Sequence, residues 1–467
     1  MQTRIERDAV GALEVPFDAY YGAQSMRGRE NFPITGRGMH PALVDNIVRI
    51  KRAACQANLQ AGTLEPAVAQ AILAACDEIL AGRLRDQFIV DCIQGGAGTS
   101  ANMNANEVIA NRALEILGRE KGEYAFVHPN DHVNLGQSTN DVYPTAGKLT
   151  AHMLTDRLLE ALSSLCEALL EKGAEFDDVL KMGRTQLEDA VPMRLGQSFR
   201  AYEAVLRRDL SRLQEAQSAL RTVNLGGTAI GTALNAAPGY LKCVLPILSE
   251  LTGIPLSRAR DLIDGTQNTD VFTALSGALK TCAMNLSKIC NDLRLLASGP
   301  KTGLGEIVLP ARQNGSSIMP GKINPVIPEV VNQVAFRVAG NDTTICMASE
   351  AGQLELNAFE PVMFTCLFES IECLTHAART LEVNCVRGIT ANRERCLSLV
   401  RSSAGIVTAL CPVLGYARAA ALVREALATN RPVYEVARDS AHLSREEIDR
   451  LLNLRQMTEV PGDAAQA

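Results

Sequence analysis

The chain has 467 residues, 47% of them apolar and 21% charged, which suffices for a large core and excludes disorder. A net charge of −6 with scattered Lys and Arg excludes a nucleic-acid partner, and no window approaches the ~20 apolar residues of a membrane span. The N-terminus, MQTRIERDAVGALEV, has no apolar stretch of the signal-peptide kind, so a cytoplasmic location is expected.

Length alone suggests about three domains. Aromatic residues are only 4% and Trp is absent, so the core must be built from Leu, Ala, Val and Ile, which favours packed helices. The thirteen Cys contain no CxxC pair; Cys282 and Cys290, or Cys366 and Cys373, stand at helical spacings and are expected to be reduced, buried thiols. Six scattered His without an HExxH pattern predict no structural metal site.

In chain order, residues 1–40 are rich in turn formers, including VPFDAYYGAQ. Shorter helices follow over 41–130, such as 65–81 with Val68, Ile72, Leu73, Cys76 and Leu80 on one face. Within that stretch QGGAGTSANMNANE (94–107) sets three Gly before Thr99 and Ser100, either of which would cap the following helix. Asn102, Asn104 and Asn106 on its first turns are unusual, because Asn is a middling helix former. A second loop, HPNDHVNLGQSTNDVYPT (128–145), offers more hydrogen-bonding groups than one cap requires.

Long helices are predicted over 146–173, 196–222, 275–296 and 360–386. The clearest period is Leu275, Leu279, Cys282, Leu286, Ile289, Leu293 and Leu296, alternating steps of four and three as in a bundle seam. MGRTQLEDAVP (182–192), with Arg184, Thr185 and Gln186, lies between two helical segments. Residues 299–328 hold five Gly and five Pro, so no regular helix survives there. Structureless loops of this length are often lids or binding loops. Helices shorten again near 403–411, 416–428 and 445–454, and the final PGDAAQA is expected to fray. The predicted domains are 1–137, mixed and mostly helical; 138–396, a long-helix bundle carrying the 299–328 loop; and 397–467, small and helical. The fold class is mainly α.

The loops supply Ser, Thr, Asn, Gln, Gly and Lys, with no obvious His–Asp pair and no phosphate-binding GxxxxGK[ST]. Neutral donors, helix N-termini and the Lys322 ammonium suit a carboxylate. Deprotonating the carbon beside a carboxylate piles negative charge on its oxygens, and donors aimed there stabilise that dianion more than the ground state. Ser316 or Ser317, beside Lys322, could then act as base; spacing does not choose between them.

GSSIMPGKINP (315–325), GAGTSANMN and GQSTND resemble, in order, the signature segments of the aspartase/fumarase superfamily, and the resemblance runs over essentially the whole chain. GQSTNDVYPT, GRTQLEDAVP, NLGGTAIGT and FEPVM are most similar to the ammonia-releasing branch. Fumarases of class II typically read SSND and GRTHTQDA in two of these places and carry Lys where this chain has Glu360. VHPNDHVN leans the other way, toward the fumarase form.

The resemblance implies a carbon–nitrogen lyase that deaminates L-aspartate reversibly to fumarate and ammonia through an enediolate. Class II fumarate hydration to L-malate is the alternative. It implies Ser316 as the base at Cβ, with Ser317, Thr99, Ser138 and Thr139 holding the β-carboxylate. Lys322 and Asn324 would bind the α-carboxylate, with Asn140 and Thr185 near the amino group. Gln186 stands where many relatives have His; ammonium leaves already protonated, whereas hydroxide needs an acid, so Gln186 favours ammonia as leaving group. The resemblance further implies a homotetramer around a twenty-helix bundle, with active sites drawn from three subunits. No organic cofactor is required; activation by a divalent cation such as Mg²⁺ is not readable from the residues.

Overall fold

The computed structural model describes residues 2–440 and 443–459; the expectation for PGDAAQA lies outside the described residues. The chain opens with an antiparallel hairpin, β1 (Thr3–Asp8) and β2 (Gly11–Pro16). Helices α1 (Ala23–Asn31), α2 (Pro41–Gln60), α3 (Pro66–Leu80) and α4 (Thr99–Ile116) follow, then the long α5 (Thr139–Glu175). A second hairpin, β3 (Leu180–Thr185) and β4 (Glu188–Arg194), leads into α6 (Leu195–Ala219). The next stretch contains β5 (Thr222–Val223), α7 (Pro238–Thr252), β6 (Ser257–Arg258), α8 (Leu262–Gln267) and α9 (Asp270–Leu296). After β7 (Ile307–Val308) come α10 (Val326–Glu350), α11 (Glu360–Asn384) and β8 (Thr390–Ala391). The end is built from α12 (Arg393–Ser402), α13 (Cys411–Leu414), α14 (Tyr416–Thr429), α15 (Val433–Ser440) and α16 (Arg445–Leu451).

The mainly helical expectation holds, and so does the seam. Every member from Leu275 to Leu296 is buried in α9, because steps of three and four keep one face inward. Cys282 and Cys290 are both buried. The helix expected near 403–411 is a 3-10 helix over Ala404–Leu410. Arg184, Thr185 and Gln186 lie between two helices as expected, on a β-hairpin.

Two compact units emerge, one from residues 1–159, 211–283 and 336–375, the other from 160–210, 284–335 and 376–467. Helices α5, α6, α9, α10 and α11 each contribute residues to both. In the first unit Ile72, Cys76, Val108 and Ile109 lie at the heart of one core, where α3 packs on α4. In the second, Met182 of β3 joins Val400, Leu410, Val436 and Ile448 in another. Among the described residues no single helix is long and apolar enough to cross a membrane.

Candidate active site

In the first unit, three successive left-handed residues, Gly96, Ala97 and Gly98, turn the chain into α4. At Gly98 a Cβ would sit 2.5 Å from the Tyr143 ring of α5, so only Gly admits this contact. Neither Thr99 nor Ser100 caps α4. The cap position is Gly98, Gln94 Oε1 accepts the Ala101 N–H at 2.8 Å, and the exposed Thr99 hydroxyl donates back to the Gly96 carbonyl at 2.7 Å. A side chain outside the helix thus does the work expected of one at its start.

The asparagines of α4 are buried staples. Asn104 donates to the Gln87 carbonyl and accepts from the Ile89 N–H, both at 2.9 Å. Asn102 and Asn106 each donate to Asn134 Oδ1 at 3.2 Å. The same oxygen accepts from Lys51 Nζ of α2 at 2.7 Å, and Lys51 also donates to Gln137 at 3.0 Å. Burial pushes the Lys51 ammonium down to about 7. Lys51 carries no motif signal; its link to the site is contact with Asn134 and Gln137, more than eighty residues away.

Ser138, Thr139 and Asn140 open α5, with Ser138 Oγ accepting the Asn140 N–H at 3.2 Å. Pro144 lacks an N–H, so the carbonyl of Asn140 has no helical partner and Asn224 Nδ2 takes it at 2.9 Å. Asn140 Nδ2 donates to the Ala229 carbonyl at 2.7 Å. Ser138, Asn130, Asp131, Thr228 and Asn235 line a cleft of about 450 Å³. Elsewhere in this unit Glu360, at the start of α11, is buried, and burial pushes its carboxyl up to about 8.

In the second unit the β3–β4 hairpin turns through Gln186 and Leu187, with φ of 55° and 67°. A two-residue turn of this hand suits Gly or Asn, so these residues hold a conformation that costs about 1 kcal/mol or more each. Thr185 and Gln186 lie exposed at its tip. Behind the tip, Arg184 donates to the fully buried Glu306 at 3.0 Å, and Lys181 lies 3.5 Å from the same carboxylate. Glu306 begins the stem of the Gly- and Pro-rich loop, where β7 pairs with β8. Glu306→Leu would strand two enclosed cations and should destabilise this unit by about 3 kcal/mol. Thermal denaturation reads the effect, and an unchanged Tm would refute the tie.

Beyond Arg312, whose guanidinium is held by the carbonyls of Val383 and Asn384, the loop leans on itself. Gly315 N–H donates to the Lys322 carbonyl at 2.8 Å, and Asn324 Nδ2 donates to the Gly315 carbonyl at 2.7 Å. A Cβ at Gly315 would stand 2.6 Å from two of these backbone atoms, which is why Gly precedes the serines. The Lys322 carbonyl and the Asn324 side chain are therefore held at Gly315, next to Ser316. Ser316 Oγ accepts two backbone N–H groups, from Ile318 at 3.2 Å and Met319 at 2.9 Å. No such pair converges on the exposed Ser317 among the described residues. Ser316 and Ser317 thus differ in the donors that reach their hydroxyls.

The ten residues expected at the site fall into two sets: Thr99, Ser138, Thr139 and Asn140 in the first unit; Thr185, Gln186, Ser316, Ser317, Lys322 and Asn324 in the second.

Comparison with known proteins agrees with this chemistry. A family model described as "Lyase" matches residues 11–340, and one described as "Fumarase C C-terminus" matches residues 406–459. The chain is 52% identical to an aspartate ammonia-lyase of Bacillus subtilis over 461 residues, covering 99% of this chain and 97% of the relative. A solved structure described as fumarate lyase:delta crystallin from Brucella melitensis, bound to cobalt, superposes with a TM-score of 0.95 at 50% identity, covering 98% of this chain and 100% of that one. A class II fumarase from Schistosoma mansoni superposes with a TM-score of 0.94 at 36% identity, covering 98% and 99%. The chain belongs to the lyase family that holds the aspartate ammonia-lyases and the class II fumarases.

Proposed function

We propose that the protein deaminates L-aspartate reversibly to fumarate and ammonia. The observation that carries the mechanism is the pair of N–H groups on Ser316 Oγ. Two donors aimed at one hydroxyl oxygen favour its anion, which is what a serine needs to act as a base. The alkoxide takes a proton from Cβ, and the electron pair left behind spreads into the β-carboxylate as an enediolate dianion. Ser317, Thr99, Ser138 and Thr139 supply donors to that carboxylate, which strengthen as its charge grows. The dianion then collapses to the carbon–carbon double bond, and the C–N bond breaks with its electron pair on nitrogen. An ammonium substituent leaves as neutral ammonia without an acid, so Gln186 suffices where hydroxide would need a proton donor. Asn140 and Thr185 sit near the amino group, and Lys322 with Asn324 grips the α-carboxylate.

The 299–328 loop closes over substrate as a lid, shedding water and bringing Ser316 in. Its exposed crest, with Ile318 at 84% and Met319 at 48% accessible, gains burial on closing. The enzyme is a cytoplasmic homotetramer with a twenty-helix core, active sites drawn from three subunits, and domains divided near 137 and 396. Support for assembly is the row Phe336, Thr343 and Met347 on one face of α10, exposed in the single chain. The chemistry is written with side chains and backbone alone, without an organic cofactor; assay against Mg²⁺ and a chelator decides cation activation.

Product analysis tests the reading. Incubation with fumarate and excess ammonium should give aspartate and no malate. Malate instead would establish hydration and overturn the role given to Gln186.

A further inference from the structure

We propose that Asp141 is a positioning residue that holds two walls of the first unit's substrate cleft in register. Its Oδ1 accepts the Ser138 N–H at 2.9 Å, and its Oδ2 accepts the N–H groups of Gly226 and Thr228 at 3.0 Å each. Ser138 and Thr228 line the same cleft. The Asp141 side chain is fully buried, so it acts through these backbone groups and does not meet substrate.

Independent features show that the wall needs such a hold. Thr228 is a non-glycine residue at φ 56°, a conformation that persists only where surroundings impose it. The neighbouring bonds, Asn224 to the Asn140 carbonyl and Asn140 to the Ala229 carbonyl, join the same two segments but touch neither Ser138 nor Thr228. Among the described residues only the carboxylate joins those two directly. The groups facing it are the Lys51 ammonium from α2 and the Tyr240 phenol from α7. Burial pushes the Asp141 carboxyl up to about 6, outweighing the three N–H donors and Lys51. Protonation below that pH removes an acceptor and loosens the clamp.

The proposal rests on Ser138 as a substrate-binding group in the lyase reaction. Asp141→Asn keeps the size but turns one acceptor arm into a donor. In the tetrameric enzyme, kcat/KM for L-aspartate should fall about 100-fold, since sub-ångström placement of binding groups carries that much rate. KM should rise more than kcat falls, because Ser138 binds substrate. The ratio of wild-type to variant kcat/KM should shrink as pH drops from 7.5 to 5.5, because the wild type then loses the same clamp. A ratio constant with pH marks a merely structural defect and overturns the proposal. Amide exchange in the wild type gives a test that needs no folded variant. Protection at Ser138, Gly226 and Thr228 should fall together as pH passes through about 6; unchanged protection there also overturns it. A wild type inactive on L-aspartate and fumarate would count against the lyase reading, while exchange would still decide the clamp.

Discussion

Ser316→Ala should lower kcat by at least about 10³-fold, the upper range for removal of a positioned general base. The fold should survive, because Ser316 lies on a partly exposed loop and its loss frees only the N–H groups of Ile318 and Met319, both at exposed residues. Water can satisfy those donors, so the usual penalty for an unpaired buried group does not arise. Binding should also survive, since the carboxylate donors remain. The measurement is therefore threefold: turnover of L-aspartate, affinity for a saturated dicarboxylate such as succinate, and circular dichroism. Turnover lost with affinity and spectrum intact identifies the base. Near wild-type turnover would remove Ser316 from that role and return the question to Ser317.

Lys322→Met should act on binding first. Among the described residues no carboxylate pairs with the Lys322 ammonium, so its charge is free for substrate, while its carbonyl is fixed by Gly315. A hydrogen bond to a charged group contributes about 1.5–3 kcal/mol, so kcat/KM should fall by roughly 10- to 150-fold, mostly through KM. Met keeps the length of the stem, so packing changes little. Lys322→Arg should recover part of the loss by restoring charge but not geometry. Unchanged affinity for dicarboxylates in Lys322→Met would refute the assignment.

Much of this site lay open in the sequence because its parts are local. Five Gly and five Pro in thirty residues exclude a helix, and two serines beside a Lys then mark where chemistry can occur. The α9 seam was equally plain, since a repeated step of three and four has one physical reading. The β3–β4 hairpin was hidden for a local reason too. Its two-residue turn is Gln186–Leu187, with none of the Gly or Asn that signals such a turn. The α4 cap was misplaced because its acceptor, Gln94, stands seven residues before the amide it serves.

What the sequence determined by itself was the class of structure and the family: long helices from an aromatic-poor apolar pattern, a stiff loop with two serines and a cation, and the lyase family through motifs in fixed order. Tertiary structure alone decided that Lys51 lies buried against Asn134 and Gln137, and that Asp141 reaches Gly226 and Thr228 about eighty-five residues away. The difference is physical. Periodicity and turn chemistry act between residues near in sequence, so the chain displays them. Burial and the bonds it forces on polar groups depend on which distant segments meet, and only the folded chain brings those together.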